Sequence, residues 1–81
     1  MEKIVQTSEL YKIIADVFQV DVQKLNDNLG PDDIEKWDSL GQLALISTLE
    51  NHYRMTFEIE EIFEILTIGD IKRILTKRGK L

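Results

Sequence analysis

Cysteine is absent from this 81-residue chain, and proline, tryptophan and histidine occur once each. Without cysteine there is no disulfide framework and no thiolate zinc site, which suits a reducing compartment. No apolar run approaches the roughly 20 residues of a membrane span. The opening stretch, MEKIVQTSELYKII, has acidic and polar residues where a secretory leader needs an unbroken apolar core. These absences lead us to expect a cytoplasmic protein with no membrane insertion. A basic excess is missing too: 15 acidic residues face 10 basic ones, for a net charge of −5. Residues 1–70 carry all the acids and half the bases, and residues 71–81 carry the other five bases. An acidic body repels nucleic acid and attracts basic partner surfaces. The basic tail reads as a helix C-terminus, where cations complement the macrodipole.

What the chain does have is aliphatic bulk. Eleven Ile and ten Leu supply an apolar core to a domain small enough to need one. Each such side chain, once buried, contributes roughly 1.5–3 kcal/mol. The length fits one domain over residues 1–81, expected to be monomeric.

Leu10, Ile13, Ile14, Val17 and Phe18 recur at helical spacing and make one apolar face. That helix starts either at a Thr7 or Ser8 cap or near Val5. Residues 19–37 lose the period. Asn26, Asp27, Asn28, Gly30 and Pro31 are turn formers, so this is a long loop, with Val20, Val22, Leu25, Leu29 and Ile34 as inward anchors. Asp38 caps a second helix ending near Tyr53 or Arg54. Residues 59–65 form a short third helix. Thr67 and Asp70 make a capping box with Asp in place of Glu, opening a fourth helix over Ile68, Ile71, Ile74 and Leu75. No stretch alternates as a strand does. The fold class is all-α, a bundle of four helices.

On the second helix Leu45, Ile46, Leu49 and Tyr53 share an ordinary core face. Leu40 and Leu43 lie on the other side beside Ser47. Either loop residues such as Ile34 or Trp37 cover them, or they form an exposed docking patch. Ser39 follows the cap, in the first turn, where free N–H groups and the positive end of the macrodipole favour a phosphate. A nucleophilic serine needs a base within hydrogen-bond reach. His52 is thirteen residues further along the same helix, about 20 Å away at 1.5 Å per residue, and no Gly-x-Ser-x-Gly elbow is present. Ser39 therefore reads either as a helix-capping residue or as an attachment point, and we expect no catalytic residue. Asp27, Asp32 and Asp33 lack the spacing of a calcium loop, and we expect no metal site. Glu58, Glu60, Glu61 and Glu64 cluster around the short helix, as a solvated face or a docking surface.

With Asp38-Ser39-Leu40 at the start of the second helix, in an acidic chain of this length, the sequence strongly resembles the acyl carrier proteins over nearly its whole extent. Leu10-Tyr11-Lys12-Ile13-Ile14, Leu45, Ile46, Leu49, Glu50, Tyr53, Glu60-Glu61 and Thr67-Ile68 extend the likeness. The resemblance implies a bundle of acyl-carrier type with a long loop between helices 1 and 2. It implies a 4'-phosphopantetheine arm on Ser39, flanked by Asp38 and Leu40 and attached by a phosphopantetheinyl transferase from coenzyme A with magnesium. Acyl groups would ride on the arm as thioesters, loaded and processed by enzymes such as a ligase, ketosynthase or acyltransferase. The second helix is the family's usual recognition element, so Leu40, Leu43, Ser47, Glu50, Glu60 and Glu61 are docking candidates. The family's acyl pocket would fall to Ile46, Leu49, Ile59, Ile62, Leu66, Ile68 and Ile71.

Two departures stand out. Gly41, Gln42 and Ala44 follow the motif where fatty-acid-synthesis carriers usually have acids, and Ile34-Glu35-Lys36-Trp37 precedes it in place of a small glycine-containing stretch. Both point from the housekeeping fatty-acid carrier to a specialised one serving lipid, lipopolysaccharide-like, polyketide or peptide products. An aminoacyl or peptidyl carrier, and a helical interaction module with Ser39 unmodified, are the competing readings.

Overall fold

The computed structural model describes the backbone of residues 2–81 and the side chains from Ser8 onward. The helices are α1 (Glu2–Phe18), α2 (Ser39–Tyr53), α3 (Ile59–Glu64) and α4 (Ile68–Lys77), with one 3-10 turn at Val22–Lys24. No strand occurs among the described residues, as the periodicity predicts.

The start of α1 differs from both expected starts. The helix continues back to Glu2, because its residues carry neither proline nor glycine to interrupt it. It ends at Gln19, which takes a left-handed φ of 56° while Val20 N–H donates to Ala15 O at 3.1 Å. This bond reaches back over the last turn and satisfies an otherwise orphaned carbonyl. Helix α2 ends the same way, with Arg54 left-handed and Met55 N–H donating to Glu50 O at 3.1 Å.

One core collects residues from every helix but α3. Leu10, Ile14 and Phe18 come from α1, Leu45 and Leu49 from α2, and Ile68, Ile71, Ile74 and Leu75 from α4. Helix α3 buries no residue of its own and is held by Phe57 and Ile65 on its flanks. Arg78 adds a clamp. Its Nε and Nη2 donate to Glu61 at 3.0 and 2.6 Å, and Nη2 also reaches Thr56 O at 3.1 Å.

The 19–37 loop ties the N-termini of α4 and α2 together. Ile68 N–H donates to Leu29 O and Gly69 N–H to Asp27 O, both at 2.9 Å, so loop carbonyls satisfy two of the first free donors of α4. The Asp27 carboxylate accepts from the Tyr11 hydroxyl and from Lys72 Nζ, linking α1, loop and α4. Leu25 and Ile34 are buried and Val20 and Leu29 pack against the core as expected. Val22 does not: it sits on the 3-10 turn and is exposed. Only three residues make that turn, and Asp21 caps it through Gln23 N–H, so Leu25 just beyond takes the inward position instead.

The expected Thr67–Asp70 capping box is present, and Asp70 also accepts from Leu66 N–H at 2.9 Å. Burial works against ionised Asp70, but these backbone bonds, Arg73 and Thr67 outweigh it and hold its carboxyl below the usual range. The Tyr11 hydroxyl, with Lys72, lowers Asp27 against the opposing effect of burial. Arg78 and the Glu58 N–H lower Glu61. Each carboxylate thus stabilises the fold above its unfolded pKa, and that contribution is lost as pH falls through the lower folded value. We predict a melting temperature that is flat near neutrality and falls on acidification through and below the ordinary carboxylate range. A thermal melt series from pH 7 to pH 2 checks it. Tyr11 works in the opposite direction. Burial and Asp27 push its pKa up from 10.0 to about 12, so its contribution is complete below pH 10 and lost between those values.

Candidate functional site

Asp38 is extended (φ −102°, ψ −165°) and its Oδ1 accepts from Gly41 N–H at 2.8 Å. The cap therefore belongs to Asp38, and Ser39 is the first residue of α2 with an exposed side chain. Among the described residues no side-chain hydrogen bond engages the Ser39 hydroxyl, since the neighbouring bonds run from Trp37 and from Gly41. His52 is paired with Glu9 and lies edge-on to Tyr53 near the far end of α2. The arrangement offers an accessible oxygen at a helix N-terminus, with the His52 imidazole in the last turn of the same helix.

The loop fixes this terminus from below. Trp37 is 2% exposed, stacks on Phe18 with ring centroids 5.2 Å apart, and donates from Nε1 to Gln42 Oε1 at 2.6 Å. Gly41 lets the loop pass at close range, since a Cβ there would stand 1.9 Å from Lys36 O. Alanine would gain about 1 kcal/mol of helix propensity, but the obstacle is a backbone carbonyl that cannot rotate aside. Overpacking of this kind costs about 1–3 kcal/mol or more. We predict that Gly41→Ala lowers the melting temperature by several degrees, at about 4–8 °C per kcal/mol for a domain this size.

Leu40 and Leu43 are 77% and 67% exposed, so Ile34 and Trp37 do not cover them; both of those are spent in the core. Ser47 and Glu60 are exposed as well. The other two docking candidates are engaged within the fold. The Glu50 carboxylate accepts Phe57 N–H at 2.9 Å and fixes the turn after α2. Glu61 is held by Arg78 and by Glu58 N–H at 2.8 Å. The charge surplus of the tail is thereby paired in part with the acidic cluster, because Arg73 also faces Asp70 and Glu64. Helix-end complementarity alone does not describe that tail.

The seven residues expected to line an acyl pocket differ widely in burial. Leu49, Ile68 and Ile71 are fully enclosed in the core and Ile46 nearly so, while Ile59 and Leu66 point outward at 69% and 68% exposure. Helical spacing assigns a residue to a face, and a face can be filled by neighbours distant in sequence. Only Ile62 lines the open groove that adjoins Ser39. This groove, about 620 Å³, runs from Trp37, Asp38 and Ser39 past Gln42 and Leu43 to Ile62, Phe63 and Ile65, with Pro31 at its edge. Phe63, 79% exposed, escaped the reading of the sequence. At 100° per residue Ile59, Ile62 and Phe63 share one side of α3 and Glu60, Glu61 and Glu64 the other, a signal that the acidic cluster masked.

The fold resembles that of a Mycobacterium tuberculosis chain described provisionally as an acyl carrier protein, with a TM-score of 0.78 over 88% of this chain and 95% of that one. At 21% identity the likeness concerns the fold. No curated protein sequence matches. Residues 8–75 match the profile described as the phosphopantetheine attachment site. Carriers of that kind are not catalysts; they hold 4'-phosphopantetheine covalently and meet phosphopantetheinyl transferases and acyl-processing enzymes. A match reaching from α1 into α4 makes the chain a member of the phosphopantetheine-attachment family, an acyl-carrier-type domain.

Proposed function

We propose that the chain is a specialised cytoplasmic acyl carrier whose arm is attached to Ser39 and whose acyl load serves a dedicated lipid or secondary biosynthetic pathway. The observation that carries the attachment point is the exposed Ser39 hydroxyl in the first turn of α2, next to a cap already satisfied by Asp38. Free N–H groups and the helix dipole there favour the phosphodiester that attachment creates. In that reaction the Ser39 oxygen bonds to phosphorus and the pyrophosphate linkage of coenzyme A breaks. Adenosine 3',5'-bisphosphate leaves and the hydroxyl proton passes to the transferase. The bound arm supplies a thiol for thioester formation. The chain itself holds the phosphate at the helix end, and its one histidine, His52, lies in the last turn of α2 away from it.

The specialised character rests on charge. From Ser39 to Leu49 α2 has no ionisable residue, and the next one, Glu50, is committed to Phe57. Partners that read acidic side chains early on this helix would find none. The test is to incubate the apo-protein with coenzyme A, magnesium and a broad-specificity phosphopantetheinyl transferase and weigh it intact. We expect a gain of one phosphopantetheine; an unchanged mass with several transferases would favour an unmodified interaction module.

A further inference from the structure

We propose that Gln42 is a positioning residue for the arm: its side-chain NH2 donates to the phosphodiester on Ser39 while Trp37 holds its carbonyl. The assignment rests on Ser39 as the attachment point and concerns the arm's phosphate, not its load.

Ser39 and Gln42 are three residues apart on α2, which makes them neighbours on one face. Helical side chains lean towards the N-terminus, and this carries the Gln42 carboxamide over the turn that holds Ser39. Both line the same opening, together with Trp37 and Asp38. Trp37 Nε1–H meets the Gln42 side chain at 2.6 Å. An indole nitrogen only donates, so the atom facing it is the carbonyl oxygen, and the NH2 points away from the ring. Trp37 is 2% exposed and stacked on Phe18, so the group that orients the carboxamide is itself fixed. Among the described residues no hydrogen bond uses the Gln42 NH2; its bond to Trp37 engages the oxygen alone.

The phosphate has use for such a donor. Of the leading N–H groups of α2, those of Gly41 and Gln42 go to Asp38, each at 2.8 Å. Ser39 and Leu40 supply the backbone donors left over, against two charged oxygens that each accept more than one hydrogen bond. No cation stands in reserve: α2 has no ionisable residue from Ser39 to Leu49, and Lys36 Nζ is turned to Gln19 Oε1 at 2.8 Å. A neutral donor held by the loop is what the site offers.

The isotopically labelled apo-protein would be loaded from coenzyme A by a transferase, with intact mass verifying one arm. Loading is expected to shift the Gln42 Nε2 proton signals and slow their exchange with water at least about tenfold, as a hydrogen bond to a charged oxygen would. Trp37→Phe, once loaded, should lose most of that protection, because the carboxamide is free to turn. Gln42→Glu keeps an oxygen for Trp37 Nε1 and gives up the donor, whereas Gln42→Met gives up both without adding charge. In both loaded variants the phosphorus NMR signal of the arm should move towards its position in the urea-unfolded loaded chain. Gln42→Glu should do so with its melting temperature in place, which separates the phosphate contact from the anchoring of Trp37. A phosphorus signal unmoved in Gln42→Met would overturn the assignment, because any change in Gln42→Glu would then be repulsion by its charge. Gln42 Nε2 protons indifferent to loading would overturn it too. Either result leaves the carrier reading standing, whereas a wild type that takes no arm at Ser39 removes both.

Discussion

Ser39→Ala is expected to abolish phosphopantetheine loading completely, with no residual product in the intact mass spectrum after exhaustive treatment with transferase. The chain keeps exposed serines at Ser8 and Ser47, so the loss cannot be compensated unless a hydroxyl alone suffices. Neither alternative has the surroundings of Ser39. Ser47 lies in the middle of α2, where the backbone N–H groups are already bonded within the helix. Ser8 lies inside α1 in the same way. Only Ser39 stands where donors and dipole point at an incoming phosphate. The substitution should not disturb the fold, because the cap bond to Gly41 comes from Asp38 and alanine is a good helix former. Unchanged circular dichroism and melting temperature beside a total loss of loading would separate chemistry from folding. A mass gain persisting in Ser39→Ala would relocate the arm.

Trp37→Ala should produce the largest loss of stability among single substitutions near the site. Removing a buried tryptophan costs about 3–5 kcal/mol, against a total of about 5–15 kcal/mol for a typical domain. Here the ring is 2% exposed and stacked on Phe18, and its removal also strands the Gln42 carbonyl that accepts from Nε1. The residue directly precedes Asp38 and Ser39, so the damage falls on the helix start that presents the hydroxyl. We expect a urea midpoint lowered substantially and loading by the transferase slowed even where the protein remains folded. Trp37→Phe, which can keep the ring contact but not the Nε1 bond, should lose only about 0.5–1.5 kcal/mol and load almost normally. Equal stability of Trp37→Ala and wild type would show that the loop is not anchored as described.

Much of this was readable in the order of residues. The apolar spacing of Leu10, Ile14 and Phe18, the Asp38 cap and the Thr67–Asp70 box are local features, and local features act within a few residues along the chain. They give the helices and the position of Ser39 on α2. What spacing could not tell was how the two apolar faces of α2 and the carboxylates of α2 and α3 would be used. Leu49 and Leu43 are equally apolar in sequence, yet one is sealed in the core while the other faces an open groove. Glu50, Glu60 and Glu61 read alike, yet Phe57 N–H and Arg78 engage two of them.

The sequence by itself determined the helices, their caps, the exclusion of thiol chemistry and a serine placed at a helix start far from the one histidine. Only the tertiary structure decided that Leu49, Ile68 and Ile71 would be fully enclosed, that Leu40 and Leu43 would stay uncovered, and that Phe63 would line a groove with Leu43. The division has a physical cause. Capping and helical periodicity depend on residues within one or two turns, whereas the filling of a face depends on which distant side chains arrive there at close-packed density.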